Sequence, residues 1–138
     1  MNNLSIEELY KKNAYSIEKN GYGNSIFIIK DIFPGKISKQ NKELFITHII
    51  SVIEESLEIS RKNNETTVYV HIYLNSCTFK NFSLSFTKKM ICTLSNRFED
   101  TLEMMYIYSE SVLFSNIWNL AKHFIEDDTR SKIKQIKN

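Results

Sequence analysis

The chain is expected to fold as an α/β domain, a mostly parallel β-sheet whose strands are joined by helical crossovers. Three observations carry that expectation. Apolar runs rich in β-branched and aromatic residues stand at Ser25 to Phe33, Thr66 to Leu74 and Met104 to Tyr108. The segments between them, Gln40 to Lys62 and Ser83 to Arg97, place apolar residues at three- and four-residue spacings. Strands separated by such helices pair in parallel, through right-handed connections that lay helices over the faces of the sheet.

Taken in order, Ser5 with Glu8 is a capping-box pattern, and Ile6, Leu9, Tyr10, Ala14 and Ile17 mark one face of a helix ending near Asn20-Gly21. Ile26-Phe27-Ile28-Ile29 is a near-continuous apolar run that suits a strand buried on both faces, and Pro34-Gly35 stops it. Leu44, Phe45, Ile49, Val52, Ile53 and Leu57 form the face of a helix long enough to cross a sheet, ended by Asn63-Asn64. Thr66 to Leu74 (TTVYVHIYL) reads as the central strand, and Asn75 to Asn81 as a loop. Met90, Ile91, Leu94 and Phe98 share a face of the next helix. After the strand at Met104 to Tyr108, Ser111 is the expected N-cap of a helix carrying Leu113, Phe114, Ile117, Trp118, Ala121, Phe124 and Ile125 on one broad apolar side. Glu126-Asp127-Asp128-Thr129 suits the start of a short helical turn, with a last short strand at Lys132 to Ile136.

Composition bounds the function classes. At 138 residues the chain suits one domain, 1–138, around one core. A net charge of +2 is too small to imply nucleic-acid binding, although Arg130, Lys132, Lys134 and Lys137 concentrate the excess near the C-terminus. Cys77 and Cys92 have no Cys-x-x-Cys and no histidine at zinc-ligand spacing, which fits a reduced, cytoplasmic protein without a metal or other cofactor. Met-Asn-Asn-Leu-Ser followed by Glu7 and Glu8 is not a signal peptide. The most apolar helical window, Leu44 to Leu57, is broken by Thr47, His48, Ser51 and Glu54-Glu55, far short of the ~20 apolar residues a bilayer needs, so membrane contact is expected to be peripheral. Gly21-x-Gly23 lacks the third glycine and following helix of a dinucleotide site, and no Gly-Lys-Ser/Thr loop, Gly-x-Ser-x-Gly elbow or His-Glu-x-x-His occurs. No catalytic residue set is expected.

The order Arg97-Phe98-Glu99-Asp100, Tyr106-Ile107-Tyr108, Phe114-Ser115, His123-Phe124-Ile125 and Thr129-Arg130-Ser131-Lys132-Ile133 resembles the CRAL-TRIO lipid-binding domain. That family runs Tyr-Pro-Glu-Arg, a Tyr-Ile-Ile/Val-Asn strand, a Phe-Ser helix, Pro-Phe-Leu and Thr-x-x-Lys-Ile. The resemblance extends from about Gly21 onward and is specific after Phe98. Glu99 replaces the family's proline, and Glu110-Ser111 its Ala-Pro, which leaves both turns less rigid. Only the Ser5 to Asn20 segment stands where relatives carry a longer helical bundle, so the resemblance implies a lobe with a shortened N-terminal helical region and a shallower cavity, which a homodimer could complete.

The resemblance implies a phospholipid-binding and transfer protein for phosphatidylinositol or a phosphoinositide, acting by presentation and not catalysis, with the lipid as ligand. Lys132 and Thr129 match the family's inositol-phosphate contacts, and Asp100 falls where it uses a headgroup glutamate, one methylene longer. The plainer alternative is that Thr129 caps a short helix and Lys132 is a solvated lysine. The helix with Phe114, Ile117, Trp118, Ala121 and Phe124 corresponds to the gate over the acyl chains, whereas in any α/β domain such a stripe packs as core. Arg130, Lys134 and Lys137 are expected to act only through long-range attraction to an anionic membrane surface. With Asn75 closing the central strand, the hydroxyl positions of the family's choline-lipid binders fall on Val70 and Ile72, which argues against a choline lipid. The rival reading is a protein-interaction module on the same scaffold, binding a small GTPase or resembling an anti-sigma-antagonist domain, with no lipid cargo.

Overall fold

The structure is a computed structural model, and residues 6–29, 39–74 and 83–137 are described. The elements run α1 (Ile6–Asn13), β1 (Ala14–Lys19), β2 (Tyr22–Ile28), α2 (Lys39–Lys62), β3 (Val68–Tyr73), α3 (Leu84–Arg97), β4 (Leu102–Tyr108), α4 (Ser111–Ala121), a 3-10 turn (Lys122–Phe124), α5 (Asp127–Arg130) and β5 (Ile133–Ile136). The sheet order is β1-β2-β3-β4-β5. Strands β2 to β5 are parallel neighbours, and β1 pairs antiparallel with β2. The mostly parallel α/β sheet predicted from the sequence is therefore the observed fold. Pro34-Gly35 and Asn75 to Asn81 lie outside the described residues.

The first element departs from expectation. The helix anticipated over Ser5 to Asn20 ends at Asn13, and Ala14 to Lys19 is a strand. Asn20 and Gly21 both have positive φ, 56° and 88°, as a two-residue primed hairpin turn requires. Asn-Gly is a strong hairpin signal, and Ala14, Ser16 and Ile17 fit a period of two as well as a helical one. The strand that follows is also shifted, starting at Tyr22 and not Ser25.

Helix α2 holds the core. Phe45, Ile46, Ile49, Val52, Ile53 and Leu57 are buried against Tyr10 of α1, Ala14 of β1, Phe27 of β2, and Val68 and Val70 of β3. The rings of Tyr10 and Phe86 lie 5.1 Å and 5.9 Å from that of Phe45. Helix α3 joins the same layer through Phe86, with Met90, Leu94 and Phe98 partly buried beside it, and Arg97 bonds Glu54 across the exposed side at 3.0 Å.

Small residues bring α2 unusually close to β1 and β2. Ser56 Oγ lies 2.6 Å from Ser16 Oγ and 2.7 Å from Ser25 Oγ. One turn later, Ser60 Oγ accepts from the Gly23 amide at 2.8 Å and donates to the Thr67 carbonyl at 2.7 Å. Each buried hydroxyl so finds a partner, as burial requires.

The connection rule also decides which face stays bare. A sheet that advances strand by strand in one direction through right-handed crossovers puts every crossover helix on one side. Helices α1 and α2 pack on the face of Ala14, Ser25, Phe27, Val68 and Val70, and α3 and α4 continue that layer. The expectation that helices cover both faces is corrected: among the described residues, no helix supplies a ring to the other face.

Candidate functional site

Successive strand residues point to opposite faces, so the register of β1 to β5 gives the composition of the face that no described helix covers. It carries Tyr15 and Ile17 from β1, Tyr22, Asn24, Ile26 and Ile28 from β2, and Tyr69, His71 and Tyr73 from β3. Met104, Tyr106 and Tyr108 of β4, and Lys134 and Ile136 of β5, complete it. Purely parallel sheets normally bury both faces. The rings of this face from β2, β3 and β4 are half-buried, with Asn24 and Ile26 buried among them, and an aromatic face that no described helix covers suits a binding surface.

The rings form a connected row. Tyr22 meets Tyr69 edge-on at 5.1 Å, Tyr69 stacks on Tyr106 at 6.4 Å, and Tyr73 stacks on Tyr108 at 4.2 Å. His71 stands among them, 5.5 Å from the Tyr106 ring and 6.0 Å from that of Tyr108. Its Nε2–H donates to Asn24 Oδ1 at 2.9 Å, and its Nδ1 accepts from the Tyr108 hydroxyl at 3.0 Å. Asn24 Nδ2 donates to the Tyr22 carbonyl at 3.1 Å, which sets the amide orientation and with it the neutral tautomer of His71.

Electrostatics keep this face uncharged at its centre. Burial, assisted by Lys19, lowers the His71 pKa. Burial raises that of Tyr108, with help from its hydrogen bond to Tyr73. Tyr69 is raised by burial and by Glu103, and Tyr22 is pushed up to about 12, first by its hydrogen bond to Glu65. The phenols therefore remain protonated donors.

The His71 shift makes a pH prediction. Because the folded pKa is depressed, the unfolded chain takes the proton first as pH falls, and stability is lost below the unfolded histidine value of about 6.5. The melting temperature should fall from pH 7 toward pH 5, and His71→Gln should flatten part of that fall. An unchanged slope in His71→Gln would place the titration elsewhere.

The site residues expected from the sequence fall in three places. Thr129 lies within α5, and Lys132 follows the helix, with the Lys132 amide bonded to the Thr129 carbonyl at 3.0 Å and the Lys132 carbonyl accepting from the Met105 amide at 2.8 Å. Lys132 Nζ is 3.5 Å from Asp128, and Arg130 pairs with Asp127. The basic cluster thus already has acids at hand, in pairs exposed enough to contribute less than about 1 kcal/mol each. Asp100 is exposed in the turn before β4, with φ 58°, a left-handed backbone that Asp tolerates. Lys137 is exposed just past β5.

Helix α4 packs mainly on α3 and the 3-10 turn. Glu110 is its N-cap, without a side-chain bond, in place of the anticipated Ser111. Leu113 and Ala121 are its buried residues. Phe114 and Trp118 stack at 5.8 Å and are half-buried, as are Ile117 and Phe124, and Lys88 lies 5.2 Å over the Phe124 ring. Val112 is 73% exposed, so this helix shows apolar surface on its outer side.

The strand register overturns one sequence inference. Val70 and Ile72 belong to the face covered by the helix layer, and Val70 is 5% exposed within the core. Tyr69, His71 and Tyr73 face the open side instead, so hydrophobic character at Val70 and Ile72 no longer argues against a choline lipid. A one-residue slip in alignment exchanges the two faces. The alternation within Tyr69 to Tyr73 was the signal available for the ring-bearing face.

A cleft of about 230 Å³ between α1 and α2 is lined by Tyr10, Lys11, Leu44, Thr47, His48 and Ser51. It is smaller than typical ligand sites. Among the described residues, no three His, Cys, Asp or Glu side chains gather to hold a metal, and no helix is long and apolar enough to cross a membrane.

Comparison with known proteins agrees with this geometry. The family model described as CRAL/TRIO domain matches residues 11–138. The phosphatidylinositol/phosphatidylcholine transfer protein SFH9 of Arabidopsis thaliana is 22% identical over 144 aligned residues, which cover 96% of this chain and 25% of SFH9. The crystal structure of Sfh5 matches with a TM-score of 0.79 at 14% identity, covering 92% of this chain and 49% of that one. At that identity the likeness is one of fold. The chain spans 25% of the length of the curated relative it matches.

Proposed function

This chain belongs to the CRAL/TRIO domain family, and from that premise we propose that it binds a phospholipid, phosphatidylinositol or a phosphorylated derivative, and presents it or moves it between membranes. The observation that carries the reading is the sheet face left bare by α1 to α4 and lined by Tyr22, Tyr69, His71, Tyr73, Tyr106 and Tyr108. A phosphatidylinositol/phosphatidylcholine transfer protein among its relatives supports the choice of cargo. The mechanism is binding and not bond-making. The lipid lies against the ring-bearing face, and contact with the membrane is peripheral; α4, the gate in the family pattern, packs with α3 in the helix layer and reaches the lipid only beyond the β5 edge of the sheet. Thr129, Lys132 and Asp100 are the headgroup positions that the family pattern nominates. Lys132 exchanges the Asp128 carboxylate for a phosphate, a small cost because the pair is solvated.

Native mass spectrometry of the purified chain tests this directly. The expected result is a population carrying one phospholipid, retained under gentle desolvation. A protein that is empty after exposure to vesicles of mixed phosphatidylinositol and phosphatidylcholine, and that loads only when another protein is added, would instead support an interaction module.

The gate role that the family pattern gives α4 has its own prediction. Phe114 and Trp118 are half-buried while Leu113 and Ala121 carry the packing. Phe114→Ala with Trp118→Ala should therefore leave a folded domain and lower lipid loading. A loss of ~3 to 5 kcal/mol for each, as for truncated core rings, with normal loading of the folded fraction, would return both to the core.

A further inference from the structure

We propose that Lys134, together with the phenol hydroxyl of Tyr106, is a direct site for the phosphate of the bound phospholipid on the ring-bearing face of the sheet. This rests on the lipid-binding reading and goes beyond it, because the sequence pattern assigns Lys134 only to the general basic character of the C-terminus.

The assignment comes from register. Lys134 is the partner of Tyr106 across the parallel pair β4–β5. Directly registered residues of neighbouring strands project on the same side, so Lys134 stands on the ring face. Gln135 alternates to the other side, where its amide donates to the Ser109 carbonyl at 3.1 Å. Lys134 is exposed, and among the described residues no acid lies within ion-pair distance of it. Lys132 and Arg130, two and four residues earlier, each have an aspartate.

Tyr106 adds a donor. The rings of Tyr69 and Tyr106 are within 3° of parallel. Their flat sides face each other, which leaves ring edges and hydroxyls for a ligand. Among the described residues neither hydroxyl has a hydrogen-bond partner, unlike Tyr108, which donates to His71. Burial and Glu103 keep Tyr69 protonated. Glu103, which accepts from Thr67 Oγ1 at 2.7 Å, is the opposing charge near Tyr69, and it places the anion toward Tyr106 and Lys134. A mobile ammonium and a phenolic donor suit the diester phosphate of a lipid, whose remaining bulk covers the apolar Ile28 and Ile136 of the same face.

The test uses a monomeric short-chain phosphatidylinositol, so that membrane attraction does not enter. Lys134→Ala should weaken its binding roughly ten- to hundred-fold, as loss of a charge-assisted hydrogen bond does, at low and at high salt alike. Tyr106→Phe keeps the ring stack and removes only the hydroxyl, and should weaken binding several-fold. Combined with Lys134→Ala it should cost less than the two separate losses together, because both act on one phosphate. Lys137→Ala is the control and should matter only for anionic vesicles at low salt. If Lys134→Ala behaves like Lys137→Ala, or if Lys132→Ala alone removes binding while Lys134→Ala is silent, the inference falls and the lipid reading stands. If inorganic phosphate competes as well as the lipid does, the site reads free anion and the inference also falls. A wild-type chain that binds no phospholipid of any kind removes both.

Discussion

Gly23→Ala should be the most damaging single methyl group that can be added to the described part of this protein. A Cβ at that position would sit 1.8 Å from the Ser56 carbonyl oxygen and 2.4 Å from its carbon. These are backbone atoms of α2, so no rotamer change relieves the clash and the helix must lift from β1 and β2. Lifting it also stretches the bonds of Ser56 to Ser16 and Ser25, and of Ser60 to the Gly23 amide. Overpacking alone costs about 1 to 3 kcal/mol, and each buried polar group left unpaired adds about 1 to 3 kcal/mol. Against a stability of roughly 5 to 15 kcal/mol, the variant is expected to be unfolded or nearly so. Gly21→Ala is the matched control. Its neighbour, Asn63 Cβ, is at an ordinary 3.8 Å, and the cost is that of placing a side chain at φ 88°, about 1 kcal/mol. Circular dichroism melts of the two variants decide the point. Equal, small losses would mean that α2 does not approach β2 this closely.

The second large effect separates the two faces of β3. Val70→Asp puts a carboxylate at a position 5% exposed, among Phe27, Val52 and Val68, with no cation described beside it. An uncompensated buried charge costs several kcal/mol even after relaxation, so this variant should not fold at neutral pH. Tyr69→Asn, one residue earlier and on the open face, loses ring contacts with Tyr22 and Tyr106 but is not forced into the core. It should remain folded with a modest fall in melting temperature and load less phospholipid in native mass spectrometry. The reverse pattern, a folded Val70→Asp that fails to load and a Tyr69→Asn that unfolds, would show that the faces are exchanged.

Much of this architecture was legible in the residues. Helix α2 was anticipated to within one residue because its apolar face repeats over many turns. Strands β3 and β4 were marked by β-branched and aromatic runs, and Ser83 caps α3 with its hydroxyl accepting from the Phe86 amide. The ordering from Arg97 to Ile133 carried the family resemblance, and the family is the one found. The site was less legible. Thr129 and Lys132 stood out as a motif, yet motif spacing does not report that Asp128 lies 3.5 Å from the Lys132 ammonium.

What the sequence determined by itself is what local periodicity and capping can encode: the order of strands and helices, their approximate ends, and hence a parallel sheet. Three things were decided by tertiary structure. Ala14 to Lys19 became a strand because the Asn20-Gly21 turn folds it back to pair with β2, a gain that no helical face on so short a segment offsets. The nearness of α2 depends on small residues from β1, β2 and α2 meeting across as many as 40 positions of chain, invisible to any local window. The choice of face is the third. A period of two says that Val70 and His71 point in opposite directions, but not which of them meets a helix, because that is set by the common handedness of all the crossovers, and handedness belongs to the whole sheet.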